Sequence, residues 1–118
     1  MTNDAVDGSA GVKAIVIDTD GAVKQVVLRG YTDLRDHIHG FLAGFGPWGV
    51  GDWYGYCDEE GKLKGLAINR VATDLANRLG RWSAGVDMLA GPVVFVGAAD
   101  GDGNDTDVPD YIVDLVVR

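Results

Sequence analysis

The alternation of apolar and polar positions divides the chain into short strands and amphipathic helices. Val12-Lys13-Ala14-Ile15-Val16-Ile17-Asp18 and Ala22-Val23-Lys24-Gln25-Val26-Val27-Leu28 are two β-rich runs separated by Thr19-Asp20-Gly21. Asp-Gly supplies positive φ in a tight turn, so the pair predicts a β-hairpin. The period then changes: Tyr31, Leu34, Ile38, Phe41, Leu42 and Phe45 recur at spacings of three and four. That spacing predicts a first helix ending near Gly44, with Thr32 as its cap and Asp33 in its first turn. The glycine-rich, aromatic segment 45–51 is a connection, and Asp52-Trp53-Tyr54-Gly55-Tyr56-Cys57 reads as a third strand. A charged turn over 58–62 leads to a second helix capped by Asn69, with Ile68, Val71, Ala72, Leu75, Ala76 and Leu79 as its apolar stripe and Gly80 as its stop.

Residues 81–90 carry Trp82 and Met88 and read as irregular or a short turn. Gly91-Pro92-Val93-Val94-Phe95-Val96-Gly97 is apolar on both parities, the pattern of a strand covered from both sides at the middle of a sheet. Its proline fits only at the start, where a missing N–H costs no ladder bond. Ala98 to Asp107 follows as the most acidic stretch of the chain. In the C-terminal segment Val108, Tyr111, Ile112, Leu115 and Val116 share one helical face, Pro109 suits a first turn, and Thr106 or Asp107 can cap. The order strand, strand, helix, strand, helix, strand, helix predicts one α+β domain over 12–118, with about four strands, at least partly antiparallel, covered by helices.

Composition narrows the classes of function. The 118 residues suit one domain, with enough chain to bury a core without metal or disulfide. The 18 acids outnumber the 10 bases, giving a net charge of −8, and every acid except Glu59 and Glu60 is aspartate. No basic residue lies between Arg81 and Arg118, so the C-terminal third presents a negative face. Such a balance argues against direct binding of nucleic-acid phosphates. The single cysteine, Cys57, excludes an internal disulfide and fits a reducing compartment, and its aromatic strand suggests a buried structural thiol. Residues 1–11 lack the charged and apolar regions of a signal peptide and read as a disordered leader. With no apolar run long enough to span a bilayer, the expectation is a cytoplasmic protein without a membrane partner.

Several motifs invite chemistry. Ile15-Val16-Ile17-Asp18-Thr19-Asp20-Gly21 resembles the nucleophile motif of haloacid-dehalogenase-type phosphohydrolases, and Gly101-Asp102-Gly103-Asn104-Asp105 resembles that family's magnesium motif. The resemblance implies Asp18 as nucleophile, Asp20 as acid/base, and Asp102 with Asp105 on Mg²⁺. An immediate hairpin after Asp18, the lack of the two middle motifs and the short chain all depart from that family. Asp100, Asp102 and Asn104 have the spacing of an EF-hand start, but Asp105 and Tyr111 occupy positions that need glycine and glutamate. The loop therefore reads as turn and cap chemistry. His37 and His39 are two apart and cannot share a helical face as metal ligands do. No catalytic residue, metal site or cofactor is assigned.

Two binding features remain. Trp48, Trp53, Tyr54, Tyr56 and Trp82 either form an exposed aromatic patch or close the core at one end of the sheet. Lys64, Asn69 and Arg70 gather at the start of the second helix, a place for an anion or simply a solvated helix entrance. Taken as a set, Lys13 to Gly21, Gly61-Lys62-Leu63-Lys64-Gly65-Leu66 with Asn69-Arg70 and Ala72-Thr73, Gly91 to Gly97, and Thr106-Asp107-Val108-Pro109 resemble an uncharacterised family of small domains from bacteria, their plasmids and phages. The resemblance implies a cytoplasmic accessory protein of mobile DNA and brings no activity with it. The favoured expectation is a non-enzymatic protein that binds a host or phage protein through Trp48, Trp53 and Tyr54 or through Asp100, Asp102, Asp105 and Asp107. The runner-up is an acidic mimic of DNA that inhibits a nucleic-acid-binding protein, and a homodimer is open in either case.

Overall fold

The computed structural model describes residues 11–47, 51–80 and 88–116. Strands β1 (Val12–Ile17) and β2 (Val23–Leu28) form the N-terminal hairpin, followed by helix α1 (Tyr31–Ile38), strands β3 (Leu42–Phe45) and β4 (Trp53–Asp58), helix α2 (Arg70–Leu79), strand β5 (Val93–Gly97) and helix α3 (Asp110–Val116). The sheet has five strands in the order β2-β1-β5-β4-β3, and every neighbouring pair is antiparallel. The chain is therefore a single α+β domain, with one strand more than the sequence pattern predicts.

Both faces of the sheet are covered. Ile15, Ile17, Val93 and Phe95 point to one side and pack with Ala72, Leu75 and Ala76 of α2 and Ile112 of α3. Ala14, Val16, Val94 and Val96 point to the other, under Leu34 and Ile38 of α1. Val93 through Val96 are fully buried, as the two-sided apolar run implies for a central strand. Burying four such side chains in succession stabilises the fold by roughly 1.5–3 kcal/mol for each large one.

The first helix stops six residues short of the predicted end. His39 adopts a left-handed conformation (φ 65°), and its N–H donates to Arg35 O at 2.7 Å. Gly40 then brings the backbone against the Asp58 carboxyl, where any side chain would collide with it. The chain turns there into β3, and Glu59 N–H donates to Phe41 O at 2.8 Å as an extension of the β3–β4 pairing. Phe41, Leu42 and Phe45 thus belong to an extended segment and not to the helical stripe. Thr32 lies inside α1; the N-cap is Gly30, and Asp33 accepts instead from Arg29 N–H at 2.7 Å.

Asn69 caps α2 as expected, its Oδ1 accepting from Ala72 N–H at 3.0 Å. The same side chain is fully buried, and its Nδ2 donates to Ile17 O at 2.8 Å and Gly91 O at 2.9 Å. One amide therefore ties the end of β1, the approach to β5 and the start of α2. Thr73, one turn on, accepts from Leu89 N–H at 3.0 Å.

At the opposite end of the sheet the segment 106–108 stands between β1 and β5. The β1–β5 register runs from Ile17↔Val93 to Ile15↔Phe95, so Lys13 and Gly97 would face each other two residues further on. Instead Gly97 N–H donates to Thr106 O at 2.8 Å, Val108 N–H donates to Lys13 O at 2.9 Å, and Lys13 N–H donates to the Asp107 carboxylate at 2.8 Å. Asp107 and Thr106, expected as helix caps, are spent on this wedge and on Ala98 O.

Candidate functional site

Antiparallel pairing of β1 with β5 decides where the acidic motifs lie. Asp18 and Asp20 follow the end of β1, beside the start of β5, whereas Asp102 and Asp105 follow the end of β5, beside the start of β1. The two pairs sit at opposite ends of the sheet and share no site. Asp18 and Asp20 both belong to the hairpin turn: the Asp18 backbone carbonyl accepts from Gly21 N–H and the Asp20 carboxylate from Ala22 N–H, each at 2.9 Å. Among the described residues no group of three or more His, Cys, Asp or Glu side chains is placed to hold a metal ion.

The anion site expected at α2 does not assemble. Asn69 is buried with its amide committed to the backbone, and Lys64 Nζ meets the buried Asp58 carboxylate at 2.6 Å. Arg70 is exposed on α2. Burial alone would raise the Asp58 pKa, but the bonds from Lys64 and from Glu60 N–H outweigh it and hold the carboxyl below its ordinary value. A carboxyl lowered on folding adds stability that is present above its unfolded pKa and disappears as pH falls through its folded one. Asp58→Asn is therefore expected to destabilise the domain by about 1–2 kcal/mol at neutral pH. Urea titrations at successive pH values should show the gap to wild type closing as the acid limb is reached.

Beside this ion pair a cleft of about 270 Å³ opens between β3, β4 and the following turn, lined by Phe45, Cys57, Asp58, Lys62, Leu63 and Met88. Burial first, and the Asp58 charge second, push the Cys57 thiol above its ordinary pKa, while Lys62 pulls the other way. The thiol is held in its protonated, weakly nucleophilic form.

Of the aromatic candidates, Trp53 is a core residue: only 4% exposed, its ring lies 5.9 Å from Phe45 and 5.8 Å from Phe95 between ring centroids. The expectation that Trp53 contacts a partner is corrected by this burial. β-strand alternation is the reason, since it turns Trp53 toward α2 and α3 and its neighbour Tyr54 toward the α1 side. Trp48 and Trp82 lie outside the described residues. Tyr54 remains partly exposed and stacks edge-on against Tyr56, with ring centroids 5.3 Å apart.

Around Tyr54 the acidic loop is built in. Tyr56 donates its hydroxyl to the Asp105 carboxylate at 2.8 Å, and burial together with this bond raises the phenol's pKa. Asp100 accepts from Asp102 N–H at 2.8 Å and Asn104 N–H at 3.0 Å, and these backbone donors lower its pKa. That is the geometry of a side-chain-stabilised turn. On the α3 side Tyr111 donates to Asp52 at 2.8 Å, and partial burial with this bond pushes its hydroxyl up to about 12. Asp52, Asp100, Asp102, Asp105, Asp107 and Asp110 are thus gathered at one end of the sheet with the exposed Tyr54 and Tyr111, while Lys13 and Arg29 flank the β1–β2 side of that end. The sequence pattern gives Tyr111 and Asp52 no site role and sets Tyr111 on the apolar face of the C-terminal helix, where it is instead 46% exposed; their pairing joins positions 59 apart and carries no local signal.

Fold and site together define a small α+β domain whose most developed surface is an acidic, tyrosine-bearing sheet end. The chain belongs to the family described as a domain of unknown function (DUF3846), whose model matches residues 12–118. No curated protein and no solved structure matches it. None of the helices among the described residues is long and apolar enough to cross a membrane.

Proposed function

We propose that this is a non-enzymatic accessory protein of phage or other mobile DNA, acting in the host cytoplasm, that binds a host or phage protein through the acidic end of its sheet. One observation carries the reading: Asp52 and the aspartates of the segment from β5 into α3 lie at that end with two exposed tyrosines, Tyr54 on the α1 face and Tyr111 on the α3 face. Tyrosine offers a large apolar ring with a polar tip, and both groups are common at interface centres and rims. The complementary surface is one rich in Arg and Lys with a pocket for an aromatic ring. The DNA-mimic reading draws less support, because the carboxylates of Asp100, Asp105 and Asp107 are turned to local donors and not arrayed outward.

The test is a pull-down of tagged protein from nuclease-treated host lysate at low and high salt, with wild type beside Tyr54→Ala and Asp102→Lys. The expected result is a protein partner held by wild type at low salt, still partly held at high salt through the tyrosines, and weakened about tenfold at low salt by either substitution. A partner that binds both variants as well as wild type would place the interface elsewhere. Capture of a nucleic-acid enzyme that salt releases would favour the mimic.

A further inference from the structure

Strand β2 is one edge of the sheet, and it is an edge of a particular kind. The other edge, β3, is four residues long, contains Gly44 and runs into Gly46 and Pro47. By contrast β2 offers six residues without proline or glycine and with no covering strand among the described residues. Its phase is set at the turn, where Asp18 N–H donates to Ala22 O at 2.9 Å. Antiparallel alternation from that pair directs the backbone groups of Lys24, Val26 and Leu28 to β1. The N–H and C=O of Val23, Gln25 and Val27 therefore point away from the sheet. Val27 is 43% exposed, and Lys24 and Gln25 are exposed as well.

These outward residues read Val, Gln, Val, the same in both directions. We propose that β2 is a self-association edge on which a second copy of this chain pairs antiparallel, continuing the sheet through both subunits. The register that uses every outward group sets Gln25 against the partner's Gln25 on the two-fold axis and Val23 against the partner's Val27. Valine then meets valine and amide meets amide across the strands. On the other face Lys24 lies opposite the partner's Val26, so no like charges are directly opposed. Antiparallel pairing also points the two acidic sheet ends, which lie toward Leu28, in opposite directions, where their repulsion is least.

Sedimentation equilibrium of the full chain tests this at increasing protein concentration. Wild type is expected to be a reversible dimer. Gln25→Lys and Gln25→Glu each put like charges face to face on the axis and should raise the dissociation constant about tenfold. Because residue 25 faces itself, an equimolar mixture of Q25K and Q25E should recover dimers that neither variant forms alone. A wild type that stays monomeric at every concentration overturns the proposal, as does a dimer indifferent to both substitutions or a mixture no tighter than the separate variants. Gln25 is exposed, so circular dichroism of both variants should match wild type.

Discussion

Replacing Asn69 with leucine is expected to remove about 4 kcal/mol of stability, a large share of what a domain of this size possesses. Three costs combine. The α2 N-cap is lost, worth about 1 kcal/mol. Ile17 O and Gly91 O each lose a donor in a site with no solvent to replace it, at about 1–3 kcal/mol apiece before relaxation. Leucine has the branching and heavy-atom count of asparagine with bulkier methyl ends, so the substitution leaves no cavity, and the loss reports the hydrogen bonds together with some crowding at this fully buried site. Asn69→Asp separates the roles, since a carboxylate can still cap α2 but cannot donate to either carbonyl. It should be as damaging as leucine at neutral pH, because it places a buried charge against two carbonyl oxygens. Urea denaturation of both variants measures the effect; a loss below about 1 kcal/mol for N69L would show that the strands and helix hold together without this amide.

Gly97→Ala is the second large effect, expected at about 3 kcal/mol. A β-carbon at this position would collide with Asp107 O and Thr106 Oγ1, and the first of these is backbone that no rotamer change can move. The 106–108 wedge would be forced out, and the bonds of Lys13 N–H and of Val108 N–H would go with it. Hydrogen exchange gives a local readout: the amides of Lys13, Gly97 and Val108 should lose protection while those of the β1–β2 hairpin keep theirs. Wild-type protection at all three would mean that the wedge tolerates the methyl group.

The hairpin, the buried strand, the Asn69 cap and the C-terminal helix were all legible in the sequence because each is written in local terms: an Asp-Gly turn, an apolar run on both parities, an amide before an apolar stripe. β3 was not. Leu42 and Phe45 continue the helical spacing of Leu34 and Ile38, and the feature that breaks it, the approach of Gly40 to Asp58, joins residues that only tertiary structure brings together. The site divides in the same way. The acidic loop stood out by composition, whereas the direction of Trp53 depended on strand phase, and the pairing of Tyr111 with Asp52 and of Tyr56 with Asp105 depended on the order of strands. The four aspartates of the phosphohydrolase-like motifs were separated by the same cause, since antiparallel β1 and β5 carry their loops to opposite ends.

The wedge between β1 and β5 has a kinetic corollary. Lys13 and Asp107 are 94 residues apart in sequence, so the contact that shapes the acidic end closes a loop nearly as long as the chain. Hairpin β1–β2 can zip locally, but the central β1–β5 pairing and everything that rests on it must wait for that distant closure. A chain of this topology folds slowly for its size, and its acidic end exists only in molecules that have finished. A partner of the kind proposed would therefore read completed protein and pass over partly folded chains.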